Sequence, residues 1–112
     1  IASGCEKEPT FTYSNHGELT DNSPEVFSKV RPLFDAVFDD ASVDAQRWTA
    51  SEDFSEVPRA FGAPYFFWLI GANSDDADAP GNHMPHFLPD YEPVVSASNR
   101  AALAAVLAYL AV

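Results

Sequence analysis

The sequence has 112 residues, enough for one small domain, and 46% of them are hydrophobic, which argues against an intrinsically disordered tail. Its formal net charge of −11 repels phosphate backbones, so a nucleic-acid partner is not expected. It shows neither an apolar run of about 18 residues nor a signal peptide, which predicts a cytoplasmic protein without a membrane span. Cys5 is the single cysteine, so no disulfide framework and no cysteine-based zinc site are expected.

The first part of the chain predicts a strand followed by a helix. Residues 9–15 alternate apolar and polar side chains, the pattern of a half-buried strand. Ser23 and Pro24 then indicate a helix start, because serine caps a helix and proline suits its first position. Apolar residues recur at helical spacing over 26–38, and Pro32 inside this stretch predicts a kink or a division into two shorter helices.

The remainder predicts two further strands, a long loop and a terminal helix. Residues 43–48 indicate a short strand, and the polar turn after it opens a short helix. Residues 65–70 are apolar at every position and bounded by glycines, which favours a central strand covered on both faces. Residues 72–93 hold four prolines and form a long irregular loop, and Ser96 is expected to cap a helix over 97–111.

Strands that alternate with helices predict the α/β class, here a partial mixed sheet covered by helices. The sheet has few strands, yet one of them needs cover on both faces. A sheet this small does not bury such a run by itself, so we expect the chain to be part of something larger. The start at Ile1 rather than Met fits an excised piece, although a processed natural terminus would look the same.

Three histidines are candidates for metal binding or catalysis. A histidine in a polar loop is more often a surface residue than a ligand, and His16, in a turn without a partner motif, belongs to that class. His83 and His86 follow the expected central strand, and loops at the strand ends of α/β sheets are where sites are built. Pro85 between them prevents a regular helix, so their spacing alone does not place both imidazoles on one face.

Ser51, Glu52 and Asp53 form a second candidate cluster. Two adjacent carboxylates can ligate a metal or act as acid and base. The same residues fit a helix start in which Ser51 caps and the acids complement the helix dipole, and local physics favours this second interpretation. A triad of Ser51, His83 and Asp53 is not favoured, because the Gly-x-Ser-x-Gly pattern is absent.

Several motifs also occur in a defined order. They are Ser-Glu-Asp-Phe within residues 49–55, Val-Pro at 57–58, an aromatic run ending in glycine over 64–71, and His-x-Pro-x-Phe within 82–87. Together they resemble the C-terminal third of metal-dependent amidohydrolases of the peptidase M20 family, of the aminoacylase, hippurate hydrolase and auxin-conjugate hydrolase type. Residues 22–25 resemble the helix start with which those chains re-enter the catalytic domain. The resemblance covers roughly residues 9–112.

The resemblance implies that His83 is a metal ligand and that Ser51, Glu52, Asp53 and Asn82 support the substrate pocket. The implied cofactors are two divalent metal ions, zinc or manganese, to which this chain supplies at most one ligand. Such ions activate a water molecule that hydrolyses an N-acyl amino acid or a related amide. His86 falls at a position that the family fills variably, so it is not assigned as a ligand.

Other motifs of the family are missing here, namely the His- or Cys-containing pair of the first ligand and the consecutive glutamates that hold the general base. The resemblance therefore implies a fragment without a catalytic residue of its own, which is inactive when isolated. Residues 1–20 would be the end of a lid domain of the dimerisation type. Residues 21–112 would be the C-terminal part of a zinc-exopeptidase-like catalytic domain.

The implied partners are a small-molecule amide substrate and the remainder of the same polypeptide, and a homodimer is an option for the full-length form. Two alternatives stay open. One is a non-catalytic acidic α/β module that binds a protein partner through its aromatic surface. The other is an M20 homologue that kept the fold and lost its metals.

Overall fold

The computed structural model describes residue 4 and residues 6–14, 16–73 and 78–110. In these ranges the elements are α1 (Pro24–Phe38), a 3₁₀ turn (Asp39–Ala41), α2 (Glu56–Ala60) and α3 (Tyr91–Leu110). None of the described residues belongs to a strand or a bridge. The predicted α/β class with a partial mixed sheet is therefore wrong for the part of the chain that the structure describes, which is helical with extended connections.

Helix α1 begins where the sequence predicts. The hydroxyl of Ser23 accepts a hydrogen bond from the N–H of Val26 at 3.4 Å, and Pro24 occupies the first turn. The predicted division at Pro32 is wrong, because the helix is continuous to Phe38, and the predicted kink stays a prediction. Ser28 and Pro32 are both exposed, so water reaches the carbonyl of Ser28 that the proline leaves without a donor.

Helix α3 begins earlier than predicted. It starts at Tyr91, departs from helical geometry at Glu92 (φ −110°, ψ 128°) and is regular beyond that residue. Ser96 therefore lies inside the helix and is not its cap. The predicted end at Ala111 lies outside the described residues, which reach Leu110.

The core is a small contact between α1 and α3, extended by residues 65–70, which are called the aromatic segment below. Two alanines of α3 bring its backbone close to α1, because a methyl side chain keeps the helices near each other. Phe66, Trp68 and Ile70 pack against this cluster from the extended segment. The buried core residues are Val26, Val30, Phe34, Ala101 and Ala104.

The three segments predicted as strands form no strand or bridge within the described residues. Residues 9–14 are exposed, and Asn15 lies outside the described part. Residues 43–48 are also exposed. Residues 65–70 are mostly half-buried, because alternate side chains lie on the helices while Leu69 points to solvent. The strand predictions for these three segments are therefore wrong for the described residues.

The described chain is long and thin. Its radius of gyration is 19.2 Å and its principal extents are 68 × 38 × 20 Å. A compact domain of about 100 residues has a radius of gyration of about 13 Å. The small core and the extended connections account for the difference.

Helix α3 is long and apolar enough to cross a membrane, judged by length and composition, with a mean hydropathy of 1.2. The sequence analysis did not predict this candidate. Core helices of soluble proteins also have this length and composition, but they are mostly buried, whereas 11% of the apolar window of α3 is buried.

Candidate functional site

The loop that carries His83 is closed at its base. The N–H of Asp90 donates to the carbonyl of Ala72 at 2.9 Å, which joins the start of α3 to the end of the aromatic segment. Inside the loop, the N–H of Met84 donates to the carbonyl of Gly81 at 3.3 Å, so a tight turn forms around His83. Residues 74–77 of this loop lie outside the described residues.

His83 has a backbone φ of 67°, in the left-handed region. Asp39 is the other non-glycine residue with positive φ in the described ranges. Histidine, asparagine and aspartate are the residue types most often found in this region, although glycine enters it at lower cost. The imidazole of His83 is exposed and makes no hydrogen bond within the described residues, so both ring nitrogens are available to an outside group.

The other polar candidates of this region are exposed as well. Asn82 and His86 lie in the same succession of turns as His83. His16, on an exposed segment, lies with its Nε2 atom 3.3 Å from Oε1 of Glu18. The structure thus shows two neighbouring exposed imidazoles in the loop and a third elsewhere with a carboxylate contact.

Ser51, Glu52 and Asp53 form a turn before α2. The Oε1 atom of Glu52 accepts the N–H of Phe54 at 2.9 Å, and the carbonyl of Asp53 accepts the N–H of Glu56 at 3.0 Å. The expected helix is present, but it begins one turn later than Ser51 would place it, with Ser55 at the cap position. No hydrogen bond links this turn to His83 in the described chain, and the supporting role of these residues stays a prediction.

In the described ranges, no three His, Cys, Asp or Glu side chains form a group that could hold a metal ion. The imidazoles of His83 and His86 are both exposed, and a zinc or manganese ligand must present a free ring nitrogen. The metal-ligand role of His83 stays a prediction.

Asn22 has a structural role that the sequence analysis missed. Its Oδ1 atom accepts the N–H of Phe67 at 2.6 Å, and its Nδ2 atom donates to the carbonyl of Phe67 at 2.8 Å. The amide therefore takes the place of a neighbouring strand at this one residue. No local signal revealed it, because the two residues are separated by 45 positions in the sequence.

Ser55 is fully buried and accepts a hydrogen bond from the hydroxyl of Thr20 at 3.1 Å. The N–H of Asp21 donates to the hydroxyl of Tyr65 at 3.0 Å. The stretch around the predicted domain boundary between residues 20 and 21 is thus attached to α2 and to the aromatic segment. The boundary itself stays a prediction.

A charged cluster attaches the segment after α1 to that helix. Arg31 Nε donates to Asp35 at 2.6 Å, Arg31 also pairs with Asp44, and the hydroxyl of Ser42 donates to Asp35 at 2.7 Å. The Ser42 and Arg31 hydrogen bonds hold the pKa of the Asp35 carboxyl below its ordinary value. The pKa of Arg31 is raised by its hydrogen bonds to Asp35 and Asp44.

Two apolar grooves flank the aromatic segment. The larger has a volume of about 920 Å³ and lies between residues 43–48 and 66–71. The smaller, of about 360 Å³, is lined by α1, Phe54, the start of the aromatic segment and the end of α3. Neither groove is lined by His83 or by residues 51–53.

No model of a known protein family matches the sequence, and no solved structure matches the chain. The similarity to M20 amidohydrolases therefore depends on the ordered motifs alone.

Proposed function

We propose that the chain is the C-terminal part of a metal-dependent amidohydrolase that hydrolyses N-acyl amino acids or related amides. In this proposal His83 donates one ring nitrogen to a divalent metal ion, and the remaining ligands and the general base come from the rest of the polypeptide. The observation that carries the proposal is the ordered set of motifs over residues 49–87. The imidazole of His83 is exposed and lines neither groove in the described chain, so in this proposal the rest of the polypeptide supplies the cleft around it.

The backbone at His83 adds support. A non-glycine residue in the left-handed region costs on the order of 1–3 kcal/mol, and such residues persist where the surrounding structure holds them, often at functional sites. The turn between Gly81 and Met84 provides that restraint. A fixed backbone limits the directions in which the imidazole can point, which is what a metal ligand requires.

In this proposal the metal ion and the residues of the chain contribute different parts of the hydrolysis. A bound divalent ion lowers the pKa of its water and polarises the scissile carbonyl. His83 contributes a neutral nitrogen donor. Glu52 uses one carboxylate oxygen within its own turn and keeps the other for a substrate group, which fits the pocket role proposed for residues 51–53 and Asn82.

The test uses the longer polypeptide that contains these 112 residues, supplied with zinc or manganese and assayed on N-acyl amino acids. We expect His83→Ala to lower kcat/KM by roughly a hundredfold or more, because loss of a ligand exceeds the loss from an outer hydrogen-bond partner. His86→Ala is the matched control, since it removes an exposed imidazole from the same loop and should leave activity unchanged.

Metal content measured by mass spectrometry completes the test. His83→Ala is expected to lose bound metal, whereas His86→Ala keeps it. Full metal content and full activity in His83→Ala would rule out this residue as a ligand. A folded longer polypeptide that binds no metal would instead be a homologue without catalytic function.

A further inference from the structure

Part of the larger groove is lined by a loop segment. Residues 43–48 line it together with Phe34 of α1 and Trp68 of the aromatic segment. The side chains of residues 43–48 are all exposed, so apolar packing does little to hold this segment in place. Its position therefore depends on polar contacts.

Ser42 attaches this segment at its base. The N–H of Ser42 donates to the carbonyl of Asp39 at 2.9 Å, and its hydroxyl donates to Asp35 at 2.7 Å. Its carbonyl accepts a hydrogen bond from Arg31 at 3.3 Å. These partners lie on α1 and in the 3₁₀ turn that follows it, so Ser42 is a fixed point next to the groove.

Beyond Ser42, a single polar contact joins the segment to α1. The carboxylate of Asp44 accepts a hydrogen bond from a guanidinium nitrogen of Arg31. Within the ranges that the structure describes, residues 43–48 make no other hydrogen bond or ion pair. The Arg31–Asp44 pair therefore decides where the segment lies.

This pair can open without leaving a buried charge alone. Asp44 is 79% exposed, so water solvates its carboxylate when the contact is broken. Arg31 is 25% exposed and keeps Asp35 of its own helix, whose carboxylate oxygen lies 2.6 Å from the Nε atom. Opening thus exchanges one ionic contact for hydration and leaves the other contact in place.

We propose that residues 43–48 form a strap that opens and closes the larger groove, and that the Arg31–Asp44 pair holds the strap closed. When the pair breaks, the strap moves about Ser42 and the aromatic lining of the groove becomes accessible. Salt screens exposed charges, so the open form gains population as the ionic strength rises. This device is separate from the proposed hydrolysis, because His83 does not line the groove.

Trypsin measures how often the strap is open, because Arg47 lies within it and proteases cleave the transiently opened form. In the 112-residue chain we expect Asp44→Ala to be cleaved after Arg47 about threefold faster than the parent chain, whereas cleavage after Arg59 of α2 keeps its rate. About 1 M sodium chloride should speed cleavage after Arg47, relative to Arg59, in the parent chain and not in Asp44→Ala. Asp40→Ala is the matched control, since it removes an exposed carboxylate that forms no ion pair among the described residues.

The fluorescence of Trp68 reports on the groove itself. The chain has two tryptophans, so Trp48→Phe leaves Trp68, which lines the groove, as the single emitter. In this background we expect acrylamide to quench Trp68 more strongly when Asp44→Ala is added. Asp44→Glu keeps the carboxylate and should return both the cleavage rate and the quenching towards the parent values.

Each outcome supports or overturns the strap. Faster cleavage after Arg47 together with stronger quenching of Trp68 supports it. Equal cleavage rates after Arg47 in the parent chain and in Asp44→Ala overturn it, and so does faster cleavage with unchanged quenching. Equal acceleration after Arg47 and Arg59 indicates general unfolding and also overturns it.

Discussion

Asn22 binds both backbone groups of Phe67 and thereby attaches the start of α1 to the aromatic segment. Asn22→Ala leaves a half-buried N–H and C=O without partners. We expect the free energy of unfolding to fall by about 1–3 kcal/mol, measured by urea denaturation. Asn99→Ala, at an exposed position of α3, is the control and should change stability little. Equal losses in the two variants would contradict the proposed role.

Asp35 gives a prediction about pH. Its carboxyl has an ordinary pKa of 3.8, which the hydrogen bonds of Ser42 and Arg31 lower in the folded state. At pH values between the folded pKa and 3.8, the folded state therefore binds fewer protons than the unfolded state. The stabilisation is present above pH 3.8 and is lost as the pH falls through the folded pKa. Asp35→Asn should weaken the loss of stability at acid pH, measured as the urea midpoint against pH, whereas Asp40→Asn should retain it.

Single residues also show where sequence reasoning succeeds and where it stops. The Ser23 cap and the Pro24 helix start were predicted correctly, because both depend on hydrogen bonds and dihedral angles within one turn. The pairing of Asn22 with Phe67 was not predicted, since it depends on how distant segments meet. The positive φ of His83 was not predicted either, because histidine is enriched in this region but usually has a negative φ.

At the scale of elements, the contact between α1 and α3 depends on two small residues. Ala101 is fully buried, and its methyl group sets how closely the helices approach. We expect Ala101→Leu to destabilise the chain by about 1–3 kcal/mol through overpacking, measured by thermal and urea unfolding. Ala102→Leu is the control, because it adds the same volume at an exposed position of the same helix. A stable Ala101→Leu variant would show that the helices can separate without cost.

The helices were easier to predict than the sheet for a physical reason. An amphipathic helix satisfies its own backbone, so the pattern over residues 26–38 was enough to predict α1. A strand needs a neighbour, and no neighbour pairs with residues 43–48 or 65–70 in the described chain. The strand predictions for these segments and the α/β class that follows from them are wrong for the described chain. The errors at Pro32 and Ser96 concern the continuity and the start of helices, which distant contacts decide.

At the scale of the whole molecule, the candidate site is spread over separate surfaces. His83 lies on a closed loop, residues 51–53 lie in the turn before α2, and neither lines a groove. The sequence motifs identify these residues through their order along the chain. Bringing them to one centre requires contacts that the described residues do not make among themselves.

The uncharged run over residues 65–70 has a consequence for handling the protein. It contains no proline, and no strand pairs with it in the described chain, so it can serve as a template on which cross-β fibrils grow. We expect the 112-residue chain to form fibrils that bind thioflavin T when it is concentrated. The side chain of Leu69 is 54% exposed, so a charged residue at this position can oppose strand stacking. Leu69→Lys should delay fibril growth while far-UV circular dichroism stays unchanged. Leu88→Lys, outside the run, should leave the lag time as it is.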